Sequence, residues 1–391
     1  LLIVEVAGLG WDRVSRLPQR SNGLHFKKLE TVFPALTCTA QAAFRTASLP
    51  REHGMISNGL FFRNLRKPMF WEQSAALVAG ERIWKKFRER GKRVGMMFWQ
   101  QSLGEDLDLI LSPAPIHKHG GGMIQDCYSR PGDLYARLTQ TVGRPFNLMH
   151  YWGPLASGKS SDWIVAATRA VMAMPDVAPD LLLSYLPHLD YDFQRFGPGS
   201  SQTDEALDAL AGWLDQLRVH AQNTGYDFLF FGDYAIAPVT KGPVFPNRVL
   251  REAGLFTVRS VKQRAYPDFF SSAAFAMVDH EIAHVFTSNE DVTRRAKDIF
   301  QNLEGVGEIL NRADQQKAGM DHSHSGDLVL VAEHGAWFAY PWWIDKKEAP
   351  DYASHVDIHN KPGYDPCELF FGWPPFGVGQ DTGRIRGSHG R

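Results

Sequence analysis

LLIVEVAGLG, residues 1–10, places six residues with a single polar member before a Gly-x-Gly turn. A run this short, apolar and β-branched, closed by glycines, is the pattern of a strand buried on both faces of a parallel sheet. It is too short for a signal peptide and lacks the basic flank, so it is expected to be the first strand of the fold. Similar runs recur at KRVGMMFW (92–99), DLLLSYL (180–186), YDFLFFGD (226–233) and GDLVLVAE (326–333). Helical patterns lie between them, at GERIWKKFRER (80–90), SDWIVAATRAVMAM (161–174) and TDEALDALAGWLDQLRVHA (203–221). Strands alternating with helices predict an α/β fold with a mainly parallel central sheet flanked by helices. SSAAFAMV and IAHVFTS (271–278 and 282–288) read as an inserted hairpin outside that alternation. PIHKHGGG (115–122) reads as a mobile loop. Ligands of open α/β sheets sit beyond the carboxyl ends of the strands, which directs attention to Ala7, Thr37, Asp190 and Asp233.

The net charge of −1 gives no reason to expect a nucleic acid polymer or an anionic membrane as partner. No apolar run reaches the length of a membrane span. Cys38, Cys127 and Cys367 are odd in number and far apart, which suggests a reducing, cytoplasmic setting without a disulfide framework. No CxxC pair offers a thiolate zinc site. No repeat, low-complexity tract or clear linker interrupts the chain. One domain over 1–391 is therefore expected, with 239–355 as a cap-like subregion inserted in it.

Several motifs carry chemistry. In FPALTCTAQAAF (33–44) a loop runs into hydroxyl residues at the mouth of a helix, where Thr37 and Thr39 are either caps or a nucleophile. GPLASGKS (153–160) matches the phosphate-loop pattern GxxxxGK[ST], between an expected strand FNLMHYW and a helix. Lys159 and Ser160 would then serve phosphate and magnesium. A proline after the first glycine is unusual in a cradle of N–H donors, so a plain loop and helix start is preferred. DHEIAH (279–284) and HSHSGD (322–327) are His-rich, and a structural role is preferred for both. HLDYD (188–192) and HVDIH (355–359) combine carboxylate with imidazole, a ligand set for divalent metals.

Taken together these blocks resemble the type I phosphodiesterase/nucleotide pyrophosphatase family of the alkaline phosphatase superfamily. The family pattern FPTxTFPNH…TGxxPxxHGIxxN is matched by FPALTCTAQAAFRTASLPREHGMISNG (33–59). PDxxGHxxGP is matched by LPHLDYDFQRFGPG (186–199), SDHG by FGDYAIAP (231–238) and HGYD by HNKPGYD (359–365). The resemblance implies an alkaline-phosphatase-like fold, with Thr37 as nucleophile and Asn58 as the residue that stabilises the transferring phosphoryl group. It also implies metal positions at Thr37 and Asp233 for one ion and at Asp190, Gln194 and His359 for the other. A small phosphorylated substrate, nucleotide-like or otherwise, is implied with them.

The chain departs from the family at three ligand positions, which hold Ala7, Gln194 and Tyr234. Gln and Tyr are weak or uncommon ligands for zinc, so a standard dizinc centre is not expected. A single ion held by Asp190, His359 and a neighbour such as His188, Asp192, His355 or Asp357 is one outcome. A rebuilt centre preferring manganese or magnesium is another, and a metal-free pocket that binds without turnover is the third. The enzyme reading is a metal-dependent phosphodiester or pyrophosphate hydrolase. The alternative is an impaired member that binds a small phosphorylated or aromatic ligand.

Overall fold

Leu2–Val6 (β1) is buried along its whole length. It is an interior strand, next to the edge, of a six-stranded sheet with Val94–Met97 (β2), Leu109–Ser112 (β3), Tyr128–Arg130 (β4), Leu181–Leu186 (β5) and Phe228–Gly232 (β6), ordered β6-β1-β5-β2-β3-β4. All neighbours pair in parallel except β3 with the edge strand β4. Buried, near-continuous aliphatic strands are what a parallel sheet covered on both faces requires. The computed structural model describes residues 1–15, 17, 24, 26–119, 122–372 and 379–391. Its contacts divide the chain into one unit of residues 1–31, 44–47 and 73–236, which holds this sheet, and a second of residues 32–43, 48–72 and 237–391.

The helices obey the expected period. Thr37–Thr46 (α1) begins in the second unit and ends in the first. Its last turns are held in the first unit by Phe44, stacked on Phe231 at 4.6 Å. Lys159–Met172 (α2) buries Ser160, Trp163, Ile164, Ala167 and Val171, a stripe spaced by three and four. His188–Phe196 (α3) follows β5 directly and carries Asp190. Ser201–Asn223 (α4) is capped by Ser200, whose hydroxyl accepts from the Thr203 amide, and buries Leu207, Leu210, Leu214 and Leu217.

The second unit is built on an antiparallel sheet. Ala274–Asp279 (β7), Ile282–Thr287 (β8), Val306–Leu310 (β9) and Leu328–Ala332 (β10) are ordered β7-β8-β10-β9. The predicted hairpin at 271–288 is present as β7 and β8. GDLVLVAE belongs here as β10 and not to the parallel alternation, because a strand buried on both faces is continuous in apolar character whichever sheet receives it. The expected strand FNLMHYW is instead a 3-10 turn over Leu148–His150, where the Asn147 side chain accepts from the Met149 amide. PIHKHGGG contributes Ile116–His117 to a short pairing with Met123–Ile124, and its residues 120 and 121 lie outside the described residues. Among the described residues no helix is long and apolar enough to cross a membrane.

Candidate active site

In the second unit the site begins at α1. Its opening turn is set by Pro34, whose carbonyl accepts from the Leu36 amide, and by Leu36, whose carbonyl accepts from Ala40. Thr37 is the first helical residue and is buried. The Cys38 amide, one of the orphan donors of the first turn, gives its hydrogen to Asn58 Oδ1 at 3.0 Å. This amide is therefore capped from LPREHGMISN. Thr39 is fully buried and its hydroxyl has no hydrogen-bond partner among the described residues, so it is a packing residue and not a cap. Asn58 Nδ2 donates to Asp279 Oδ1 at 3.2 Å, and the Asn58 amide donates to Asp279 Oδ2 at 2.8 Å. Partners at both ends of the side chain define which atom is oxygen and which nitrogen.

In the first unit the carboxylates follow neighbouring strands. Asp190 comes after β5 and Asp233 after β6, on either side of β1, which ends in Ala7 and Gly8. Gly8 has φ +70°, a conformation few side chains adopt, and its amide donates to Asp233 Oδ1 at 3.0 Å. Tyr234 N donates to the same oxygen at 2.8 Å, while Asp233 Oδ2 is buried and has no hydrogen-bond partner among the described residues. Burial, followed by the charge of Asp190, raises the Asp233 carboxyl well above the usual range despite those amides. Asp190 is held differently. Gln194 Nε2 donates to its Oδ2 at 2.7 Å, and the Tyr234 hydroxyl donates to its Oδ1 at 3.3 Å.

Two of the three substituted ligand positions are thus hydrogen-bond donors to the surviving carboxylate, and the third, Ala7, offers no side-chain donor atom. Among the described residues no group of three or more His, Cys, Asp or Glu side chains is arranged to hold a metal ion. With Ala7, Gln194 and Tyr234 at three ligand positions, the described residues do not reproduce the donor set of the family's two-ion centre.

The neighbours considered as rescuing ligands are engaged elsewhere. His188 is buried, with Nδ1 at 3.1 Å from Ser161 Oγ and Nε2 at 3.1 Å from the Ala206 carbonyl, and burial pushes its pKa down to about 4. Burial lifts Asp192 to about 6 against the charge of Arg195. In the second unit, His355 Nδ1 lies 2.8 Å from the Asp351 carbonyl, and Asp357 accepts from the Asn360 side chain. His359 is half-buried in the turn before Lys361. The rest of its block is a buried ion cluster, in which Lys361 Nζ meets Asp365 Oδ2 at 2.8 Å and Glu368 Oε1 at 2.7 Å.

GPLASGKS has the polarity of its loop inverted. The Gly153 and Ala156 carbonyls accept from Arg195 Nη2 and Nη1 at 2.8 and 2.5 Å. A phosphate cradle presents amides to an anion, whereas this loop presents carbonyls to a guanidinium. Arg195→Met is expected to cost about 1.5–3 kcal/mol, the usual loss for hydrogen bonds to a charged group, read as a lowered midpoint in urea. ATP binding by Lys159→Ala, measured by calorimetry, is expected to equal that of the unsubstituted chain.

Three residues of the second unit were not singled out from sequence as site residues. Asp279, fully buried, receives Ser57 Oγ at 2.5 Å and His280 Nδ1 at 2.7 Å besides both groups of Asn58. His280 occupies the hairpin turn, whereas His284 lies in β8. His284 is bonded instead to the Ile56 carbonyl and the Gly326 amide. His389 lies with Nδ1 2.8 Å from the Ala35 carbonyl, two residues before Thr37, and the Ala35 amide donates to the Gly390 carbonyl. The only signal for His389 was an isolated His-Gly near the end of the chain.

The profile of the type I phosphodiesterase/nucleotide pyrophosphatase family matches residues 2–365. Curated proteins give no sequence match. Among solved structures, phosphonoacetate hydrolase from Sinorhizobium meliloti 1021 in complex with phosphonoformate superposes with a TM-score of 0.61 at 15% identity, over 87% of this chain and 82% of that one. Murine ectonucleotide pyrophosphatase/phosphodiesterase 5 superposes with a TM-score of 0.60 at 15% identity, over 100% and 88%. An inactive form of the murine protein in complex with AMP gives 0.57 at 14% identity, over 88% and 81%. These likenesses agree with an α/β fold on a mostly parallel sheet, and the extent of the profile match decides the rest: the chain belongs to the type I phosphodiesterase/nucleotide pyrophosphatase family.

Proposed function

We propose that the chain hydrolyses a small phosphodiester or pyrophosphate, with Thr37 as nucleophile and Asn58 as the donor to a phosphoryl oxygen. The observation that carries this reading is the first turn of α1, where Thr37 stands beside an amide held by Asn58 across the LPREHGMISN block. The positive end of a ten-residue helix favours an anionic group there, and favours it more as charge grows on the phosphoryl oxygens. Asn58 Nδ2 gives one hydrogen to Asp279, and its second is the donor assigned to the substrate. Small phosphorylated ligands are the expected class, in keeping with the phosphonoformate and AMP bound by the structural neighbours. The reading includes the cytoplasmic setting expected from the cysteines, which are buried and not joined in disulfides.

No step is assigned to a metal, because the donor set does not fit the family's two-ion arrangement. The metal positions implied for Asp190, Asp233, Gln194, His359 and Thr37 reduce to a question of ion content. Protein purified without chelator or nickel resin is expected to carry well under two zinc ions per chain by mass spectrometry. Two full equivalents would show that Gln194 and Tyr234 yield Asp190 to the metal.

A second reading, ligand binding without turnover, is favoured by one observation: both oxygens of Asp190 already accept hydrogen bonds from Gln194 and Tyr234. Release of p-nitrophenol from bis(p-nitrophenyl) phosphate separates the two. Release above the Thr37→Ala background supports hydrolysis, and none above it leaves binding alone.

A further inference from the structure

The DHEIAH segment has no part in the function proposed above, yet its first two residues are built into the nucleophile's surroundings. Asp279 pairs with Ile282 in the hairpin, which leaves His280 and Glu281 as a two-residue turn. His280 has φ +58°, a conformation such turns normally assign to Gly or Asn. A β-carbon-bearing residue persists in that region when its surroundings hold it there. Here they hold it from three sides. Nδ1 donates to Asp279 Oδ1 at 2.7 Å, one ring face stacks on Tyr364 at 3.7 Å and 22°, and the His389 ring lies 3.8 Å away. The turn could exist without the imidazole, since glycine would adopt it at no strain.

Asp279 uses the same carboxylate on the other side to fix Ser57 and Asn58. Its Oδ1 is shared between His280 Nδ1 and Asn58 Nδ2. The direction of the Asn58 amide therefore depends on where that oxygen sits, and the imidazole sets where it sits. His389, packed on His280, ties the Ala35 carbonyl, so the two segments flanking Thr37 in space lead to one stack of rings.

We propose that Asp279 and His280 are positioning residues that aim the second Nδ2 hydrogen of Asn58 at the phosphoryl group, by fixing its first. This rests on the hydrolase reading above. It differs from a plain structural role in predicting that the loss falls on turnover and is restored by a side chain that can donate.

The experiment compares Asp279→Asn, His280→Gly and His280→Asn with the unsubstituted chain, on bis(p-nitrophenyl) phosphate. His280→Gly keeps the turn conformation and removes the ring, so it tests the imidazole even if Asp279→Asn fails to fold. Asp279→Asn and His280→Gly are expected to lower kcat about 10- to 100-fold with KM changed less than about threefold, the scale of lost outer-sphere support. His280→Asn, which tolerates the turn and retains an N–H donor, is expected to recover part of that loss. Unchanged kcat in His280→Gly, with activity still lost in Thr37→Ala, overturns the positioning role and leaves the hydrolase reading standing. If the unsubstituted chain shows no Thr37-dependent turnover, the hydrolase reading fails, and the side-chain amide resonances of Asn58 decide the positioning role. A slowly exchanging pair that becomes fast in His280→Gly supports it. An identical pair in both chains overturns it.

Discussion

Thr37→Ala is expected to lower hydrolysis of bis(p-nitrophenyl) phosphate by about a thousandfold or more, because in the proposed hydrolysis Thr37 forms the covalent bond and has no substitute. The same variant is expected to unfold within a few degrees of the unsubstituted chain. Alanine is the best helix former, and the Cys38 amide at the helix mouth is capped by Asn58. Thr37→Ser is expected to retain measurable turnover, since it keeps the hydroxyl. Equal activity in Thr37→Ala and the unsubstituted chain would remove Thr37 from the chemistry. A large fall in unfolding temperature would assign it to the fold instead. Circular dichroism on the same preparations separates the two effects.

Lys361→Ala is expected to be the most destabilising single change in the second unit, at about 3–5 kcal/mol. Lys361 is 1% exposed and bridges Asp365 and Glu368, so truncation strands two buried carboxylates. Burial lowers the pKa of the ammonium, but the charges and hydrogen bonds of Asp365 and Glu368 raise it by more, and the net shift is upward. The charge therefore persists in the folded protein. Asp365 is tied further, accepting from Gln380 Nε2 at 2.7 Å and from the Cys367 amide at 3.1 Å. At about 2–4 °C per kcal/mol for a unit of this size, the midpoint should fall by about 6 °C or more. Lys361→Met combined with Asp365→Asn and Glu368→Gln should lose much less, because no unpaired charge is left behind. If the single and triple variants unfold at one temperature, the pairing is not what stabilises this segment.

The central sheet was legible because β1, β2, β5 and β6 are apolar runs separated by helical patterns, and a parallel sheet demands that alternation. The hairpin at β7 and β8 was legible as two apolar runs, 271–278 and 282–288, standing outside that alternation. β3 was not identified, being short and close behind β2 in the chain. β10 was read as part of the same series, since continuous burial erases the alternation that tells sheet types apart. Thr37, Asn58, Asp190 and Asp233 were reached through motif spacing, which survives substitution around it. What spacing does not encode is partnership. Nothing in FGDYAIAP says that the tyrosine hydroxyl will reach Asp190, and nothing in GPLASGKS says that its carbonyls will surround Arg195. The Asp279–Asn58 contact joins residues 221 positions apart, which no local pattern reports.

The bonds between Ala35 and the 389–390 segment bear on how the protein is made. The loop that carries Thr37 is synthesised well before its partners, which lie 354 residues later. At about 5–20 residues per second, the ribosome would hold the loop without those partners for tens of seconds. The turn before the helix can take its final form only once residues 389 and 390 have emerged. The surroundings of Thr37 are then completed only after the parallel sheet has its strands, and chains cut short before residue 387 should fold that sheet without the bonds to Ala35.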